Sequence, residues 1–273
     1  MPSLEDNSTD ILRKAQRGLR LSNAQLCAQA GVSDGDLEWV LDGQFEEKTL
    51  RKLAPVLHLG ANALVAIARG TWWPQNVSAL DGLAVFETLF GEVKVNSFLV
   101  WDAATRAAVA FDTGTDCDEM LGELKTRGLT LKSIFITHTH GDHVYELARL
   151  KAATGAAAFV SEHEPLEGAE PFAAGKTFTV GRLQIEARPT TGHSQGGTTY
   201  VVTGLARRLA VVGDAMFTGS IGGGLVSYED ALRTNREQIL SLPDDTVICP
   251  GHGPLTTVGE QKQFNPFFPE FQS

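Results

Sequence analysis

Positive charge is scarce in this chain. Its 23 Lys and Arg are outnumbered by 33 Asp and Glu, leaving a formal net charge of −10 at pH 7. Such a balance repels polyanions, which argues against a general nucleic-acid binder and against a nuclease. Cysteine is scarcer still. The three present, Cys27, Cys117 and Cys249, are widely spaced and odd in number. Neither a disulfide framework nor a cysteine zinc site fits that pattern. Cys249 closes the apolar run Thr246-Val247-Ile248-Cys249, so it reads as strand packing although His252 is near in sequence. No apolar run is long enough to span a bilayer, and no membrane partner is expected. The opening residues, Met1-Pro2-Ser3-Leu4-Glu5-Asp6, lack the basic-then-apolar layout of a secretory signal. A reducing cytoplasm is the expected location. No internal repeat or low-complexity stretch is visible. Hydrophobic residues make up 42% of the 273, ample for a sizeable core.

Histidine is present with a purpose. The stretch Thr137-His138-Thr139-His140-Gly141-Asp142-His143 puts three imidazoles and a carboxylate within six consecutive positions. Four such side chains pack badly in a core, but they suit zinc, iron or manganese. The preceding residues 131–136 read as a buried strand, so the cluster sits at a strand's carboxyl end, where α/β sheets commonly hold their chemistry. Two further histidines lie on glycine-rich turns after strand-like runs: His193 in Thr191-Gly192-His193-Ser194, and His252 in Pro250-Gly251-His252-Gly253. Asp214 follows the apolar run 209–213 in the same way. His58 and His163 have no such setting and read as surface or satisfied core residues. Thr137 and Ser194 read as turn or supporting residues rather than nucleophiles.

Taken together, these motifs resemble the metallo-β-lactamase superfamily, and within it the glyoxalase II-like hydrolases. The matching pieces are the 137–143 motif, Gly192-His193, Gly213-Asp214 and Gly251-His252, in that order. The resemblance covers about the last three quarters of the chain. It implies an α/β chain with an αββα sandwich and two divalent metal ions between the sheets, zinc in first place, with iron or manganese as alternatives. It further implies that His138, His140 and His193 hold one ion, that Asp142, His143 and His252 hold the other, and that Asp214 bridges them. Two cations about 3.5 Å apart lower the pKa of a shared water and stabilise the oxyanion formed when it attacks a carbonyl. Asp142 has a second, catalytic role open to it, orienting the nucleophile or accepting its proton.

Residues 1–70 read differently, as a small all-α domain. Helices are expected over 10–19, with Thr9 or Asp10 as cap, from Ser22 to Ala30, from Ser33 through Leu41, over 46–57 and over 61–69. Helix, glycine turn, helix is the layout of a helix-turn-helix, and residues 21–43 loosely resemble the Cro/repressor type. The charges argue against strong DNA binding. Residues 1–70 hold eight Lys/Arg and nine Asp/Glu, and the expected recognition helix carries Asp34, Asp36, Glu38 and Asp42 with no basic residue. A helical bundle that dimerises or covers the active site is the favoured reading, while Arg13, Lys14, Arg17 and Arg20 leave a backbone contact open. A homodimer therefore stays open. Residues 71–76 form the expected linker, with Trp72 and Trp73 pinning the two parts together and Pro74 ending any helix. The catalytic domain is expected over 77–273.

Within that domain, strands are expected over 83–89, 93–101, 107–111, 131–136, 157–160, 178–180, 183–189, 198–203, 208–212 and 246–249. Helices are expected over 116–127, 143–154 and 228–242. Strands in two runs with helices after each suit a sandwich covered on both sides. The aromatic tail at 264–268 reads as an anchor or a subunit contact. A small-molecule thioester or other ester-like substrate fits best. In the related enzymes a basic residue follows the glycines after the bridging aspartate and helps hold glutathione; here Gly223 and Gly224 stand there, and the larger relatives' helical C-terminal domain has no counterpart. β-Lactam hydrolysis fits less well, because Asp214 stands where such enzymes commonly carry a cysteine. Two other readings stay open: a persulfide dioxygenase, which resembles glyoxalase II but uses one iron, and a DNA-binding regulator with a metal-binding sensor domain.

Overall fold

Local capping chemistry sets the helix starts. The computed structural model describes residues 4–75, 77 and 80–272, so Asn76, the last residue of the expected linker, lies outside it, as do residues 1–3 and 273. Five helices come first: α1 (Ser8–Gly18), α2 (Asn23–Ala30), α3 (Asp34–Leu41), α4 (Glu47–Val56) and α5 (Ala61–Arg69). The cap of α1 is Asn7, not Thr9 or Asp10. Its side chain accepts from the amides of Thr9 and Asp10, and Asp10 returns a bond to the Asn7 amide, closing a capping box. Ser22 with Gln25 and Ser33 with Asp36 form capping boxes as their spacing predicts. α2 and α3 meet at a short turn where Gly31 takes a left-handed φ of +61°.

Among the described residues, twelve strands follow in two six-stranded sheets. The first sheet is built from β1 (Leu83–Phe90), β2 (Val93–Trp101), β3 (Ala107–Phe111), β4 (Thr130–Phe135), β5 (Ala157–Ser161) and β6 (Glu170–Phe172), side by side in chain order. Its helices are α6 (Asp118–Arg127), α7 (Gly141–Val144) and α8 (Leu147–Thr154). The second sheet holds β7 (Thr177–Val180), β8 (Leu183–Pro189), β9 (Thr198–Thr203), β10 (Leu209–Gly213), β11 (Val247–Pro250) and β12 (Thr256–Thr257). α9 (Tyr228–Thr234) continues as a wider π-helical turn, Asn235–Ile239, and α10 is Val258–Phe264. The expected hairpins 93–101/107–111, 178–180/183–189 and 198–203/208–212 are antiparallel pairs in the structure.

One expected helix is broken. Instead of a single helix over 143–154, α7 and α8 are separated at Tyr145-Glu146. Thr113 is the reason. Its Oγ1 donates to the His143 carbonyl and accepts from the Glu146 amide, both at 3.1 Å, and its own amide also donates to that carbonyl. Groups that would extend the helical ladder are thus taken by a neighbouring loop. β6, β12 and α10 were not expected from the sequence.

Three apolar layers hold the sandwich. Between the sheets lie Phe98, Val109, Phe111, Phe135, Ile185, Tyr200, Val211 and Cys249. Outside the first sheet, Leu99, Ala110 and Ile134 pack against Met120 and Leu124 of α6 and Leu150 of α8. Outside the second, Val201, Ala210, Val212 and Ile248 share one cluster with Ile11, Leu12, Leu26, Leu53 and Leu64 of the N-terminal helices. That shared core is what docks the helical part on the sandwich. Trp72 joins it by stacking on Phe264, centroids 5.0 Å apart, while Trp73 is 40% exposed. Phe267 and Phe268 are buried in the same cluster, so the aromatic tail is an anchor. No helix among the described residues is long and apolar enough to cross a membrane.

Candidate metal centre

Strand ends from both sheets deliver the functional side chains to one place. The 137–143 motif follows β4 of the first sheet. His193 follows β8, Asp214 follows β10 and His252 follows β11, all of the second. Close approach needs the glycines. A Cβ on Gly251 would lie 2.2 Å from Asp214 Oδ1, and one on Gly213, whose φ is +51°, would lie 2.4 Å from Thr137 Oγ1.

All seven side chains singled out from the sequence converge, in two groups. His138, His140, His193 and Asp214 form one, and Asp142, His143 and His252 the other. His140 Nδ1 lies 3.0 Å from His138 Nε2 and 3.1 Å from His193 Nε2. Asp214 lies between the groups: Oδ2 is 3.5 Å from His193 Nε2 and 3.4 Å from His252 Nε2, and Oδ1 is 3.3 Å from His143 Nε2. Asp142 Oδ2 is 3.3 Å from His252 Nε2. His140 and Asp142 are half-buried, and the other five are buried. His58 and His163 lie exposed elsewhere.

Each of the four buried rings is fixed through its far nitrogen. His143 Nδ1 donates to Asp112 Oδ2 at 2.8 Å, His193 Nδ1 to the Gly222 carbonyl at 3.0 Å and His252 Nδ1 to the Lys94 carbonyl at 2.6 Å. His138 Nδ1 meets Thr137 Oγ1 at 3.1 Å, and that hydroxyl donates to Asp112. The network sets the tautomers and turns all four Nε2 atoms into the pocket. Cys249 stays in the core between the sheets, away from this work.

Two acidic residues here escaped the sequence reading. Asp112, buried after β3, also accepts from the Thr137 amide at 2.7 Å, and its backbone takes the left-handed φ of +55° that non-glycine residues rarely adopt. Glu164 ties two ligand loops together, accepting from Thr139 Oγ1 at 2.8 Å and from the Gly196 amide at 2.9 Å.

The charges are strongly coupled. Burial alone would push the Asp214 carboxyl up, but the charge and hydrogen bond of His143, the bond from His252 and the charge on His138 together outweigh it and hold it well below the usual range. Burial likewise opposes charge on His143 and His252. Asp214 and Asp112 nevertheless hold His143 well above its usual range, and bonds from Asp142 and Asp214 push His252 up to about 10. Burial and the neighbouring His143 drive His138 well below its usual value, and burial lowers His193.

A metal fits this donor set. His143 Nε2 and Asp214 Oδ1 are buried and make no hydrogen bond, an orphaning that proteins rarely leave without a partner. Within each group the ligand atoms lie within 4.8 Å of one another, and a tetrahedral ion with bonds of about 2.0–2.1 Å spaces its ligands about 3.3 Å apart. The cluster is therefore able to bind metal.

Comparison with known proteins agrees with this geometry. Residues 90–252 match the sequence pattern of the Metallo-beta-lactamase superfamily, more than half of the 273-residue chain. α1 to α5 lie outside that match. The hydroxyacylglutathione hydrolase GloC of Haemophilus influenzae is 28% identical over 198 residues, 63% of this chain and 92% of the relative. The crystal structure of ETHE1 from Myxococcus xanthus is similar with a TM-score of 0.61 at 25% identity, covering 68% of this chain and 85% of that one. TTHA1623, crystallised in a di-iron-bound form, has a TM-score of 0.54 at 26% identity, covering 67% of this chain and all of its own. With two facing sheets, a His/Asp pocket at their strand ends and a match that runs through every one of its residues, the chain belongs to the metallo-β-lactamase superfamily.

Proposed function

We propose that the protein is a metallohydrolase that cleaves a thioester or other ester-like bond in a small-molecule substrate, using two divalent cations. His138, His140 and His193 hold one cation, Asp142, His143 and His252 the other, and Asp214 serves both. The observation that carries this reading is that the second group is complete: Asp142, His143 and His252 stand together, with His143 and His252 each oriented from behind. When bound, such cations supply Lewis acidity and a nucleophilic water active near neutral pH. The chain's own residues do the rest. Asp112, Thr137 and the carbonyls of Lys94 and Gly222 hold four imidazoles in position, so little reorganisation is needed when the substrate arrives. Asp142 is the carboxylate left half-buried. It stands 3.3 Å from His252 Nε2 at the open side of the pocket, placed to orient the nucleophile or accept its proton.

The likeness to GloC supports a thioester, and the di-iron form of TTHA1623 supports iron alongside zinc as the resident metal. The test is metal analysis of purified protein beside a panel of thioester, lactone and persulfide substrates. Two ions per chain and thioester turnover are expected. A single iron with oxygen consumption on a persulfide would replace this reading with a dioxygenase, and sequence-specific duplex binding that depends on salt would replace it with a regulator.

A further inference from the structure

The N-terminal helices touch the loop that serves both halves of the pocket. Residues 216–222 follow Asp214. The Gly222 carbonyl orients His193, and the Phe217 ring stands edge-on to His252 at 5.5 Å. Gly222 is pressed in so closely that a Cβ there would lie 1.9 Å from the Asp214 carbonyl oxygen and 2.9 Å from His193 Nδ1. Any movement of this loop is therefore felt by a ligand of each group.

Two residues of the helical part grip it. Lys14 of α1 donates to the Ile221 carbonyl at 2.7 Å and lies 4.8 Å from the centroid of the Phe217 ring. Asp6, just before α1, pairs with Lys14 and accepts from Ser220 Oγ. The pair is largely withdrawn from water, its side chains only 13% and 8% exposed. A buried ion pair is costly to desolvate and is weak as a device for stability alone, so its contacts to the loop need another account. α10 and the residue that caps it hold the same loop: Gln261 Oε1 accepts from the Gly219 amide at 3.0 Å, and Asn265 Nδ2 donates to the Ser220 carbonyl at 2.8 Å. The Lys14 end is the grip on Ile221, the residue next to Gly222.

We propose that Asp6 and Lys14 are positioning residues of the metal centre. Through the 216–222 loop they set the orientation of His193 and the packing of Phe217 against His252. The helical unit is thus a working part of the pocket, lying outside the superfamily match. This rests on the metal-binding half of the proposed function and not on the identity of the substrate.

The experiment uses the full chain and reads metal binding rather than turnover. Wild type, Lys14→Met, Lys14→Arg and the paired Asp6→Asn/Lys14→Met, which leaves no buried charge unpaired, are titrated with cobalt(II) against a competing chelator. Circular dichroism and the unfolding midpoint establish that each is folded. Lys14→Met and the paired variant are expected to lose on the order of tenfold in affinity for at least one ion and to shift the cobalt d–d bands, which report ligand geometry. Lys14→Arg, which retains the charge, is expected to recover most of both. Lys52→Met, on the same unit but with its side chain bonded to the Gly31 carbonyl rather than to the pocket loop, is expected to match wild type. Folded variants with wild-type affinity and spectrum would overturn the proposal, and so would failure of both Lys14→Met forms to fold, which would make the pair a plain folding element. A wild type that takes up no metal would overturn this proposal and the proposed function together. Metal uptake without thioester turnover would overturn the substrate assignment alone.

Discussion

The pocket and the helical unit are built on opposite terms. In the pocket, side chains that dislike burial are crowded together and held by hydrogen bonds to hidden partners. In the helical unit, Ile11, Leu12, Leu26, Leu53 and Leu64 make an ordinary apolar core, polar side chains cap the helices, and the Asp6–Lys14 pair sits at the contact with the pocket loop. The first is bought with local strain, as at Asp112. The second tolerates apolar residues of about the right size. Lesions in the pocket should therefore damage chemistry and spare the metal-free fold, while lesions in the apolar core of the helices should do the reverse.

The largest effect is expected from His140→Ala. This ring approaches both His138 and His193 and is half-buried, so its loss should abolish turnover and leave the unfolding midpoint of the metal-free protein near wild type. Equal loss of both would erase the contrast. Asp112→Asn tests the hidden layer. It should weaken metal binding by about 10- to 100-fold, as loss of a ligand's outer partner does, read by chelator competition. Leu53→Ala should cost about 2–5 kcal/mol in chemical denaturation, since Leu53 is fully buried, with metal stoichiometry unchanged. A smaller effect, one that is lost in acid, is expected at the Asp102–Arg182 pair that ties the end of β2 to the β7–β8 turn. The Arg182 bond holds the Asp102 carboxyl well below its usual range. Its contribution is complete above the unfolded value of about 3.9 and fades as pH falls through the lower folded value. Stability of wild type and Asp102→Asn should therefore differ at pH 7 and converge in strong acid. Ser22→Ala, which removes one cap, should cost only about 1 kcal/mol.

What could be read from the letters follows the same division. Ligands were legible because His and Asp after apolar runs and glycine have few other reasons to stand there. Their supports were not. The Lys94 and Gly222 partners are backbone carbonyls, which carry no residue signature. Asp112 did leave a trace, following the buried run of β3 as Asp214 follows β10, but an aspartate before Thr-Gly also reads as a turn. β6 contains Pro171 and β12 is two residues long, so neither has a period to detect. α10 was detectable: Thr257 and Glu260 form a capping box with the standard spacing. In the helices, capping boxes and glycine stops gave α2, α3 and α5 closely, because those signals are local. The docking of the helical unit on the second sheet was not local, and the shared apolar cluster and the contacts of Asp6 and Lys14 reveal it.

Four of the seven pocket residues hang from the first sheet and three from the second. Cations seated among them would act as a staple across the sandwich, resisting any sliding of one layer over the other. Chelation should then lower the melting temperature, and excess metal should raise it with the logarithm of its concentration.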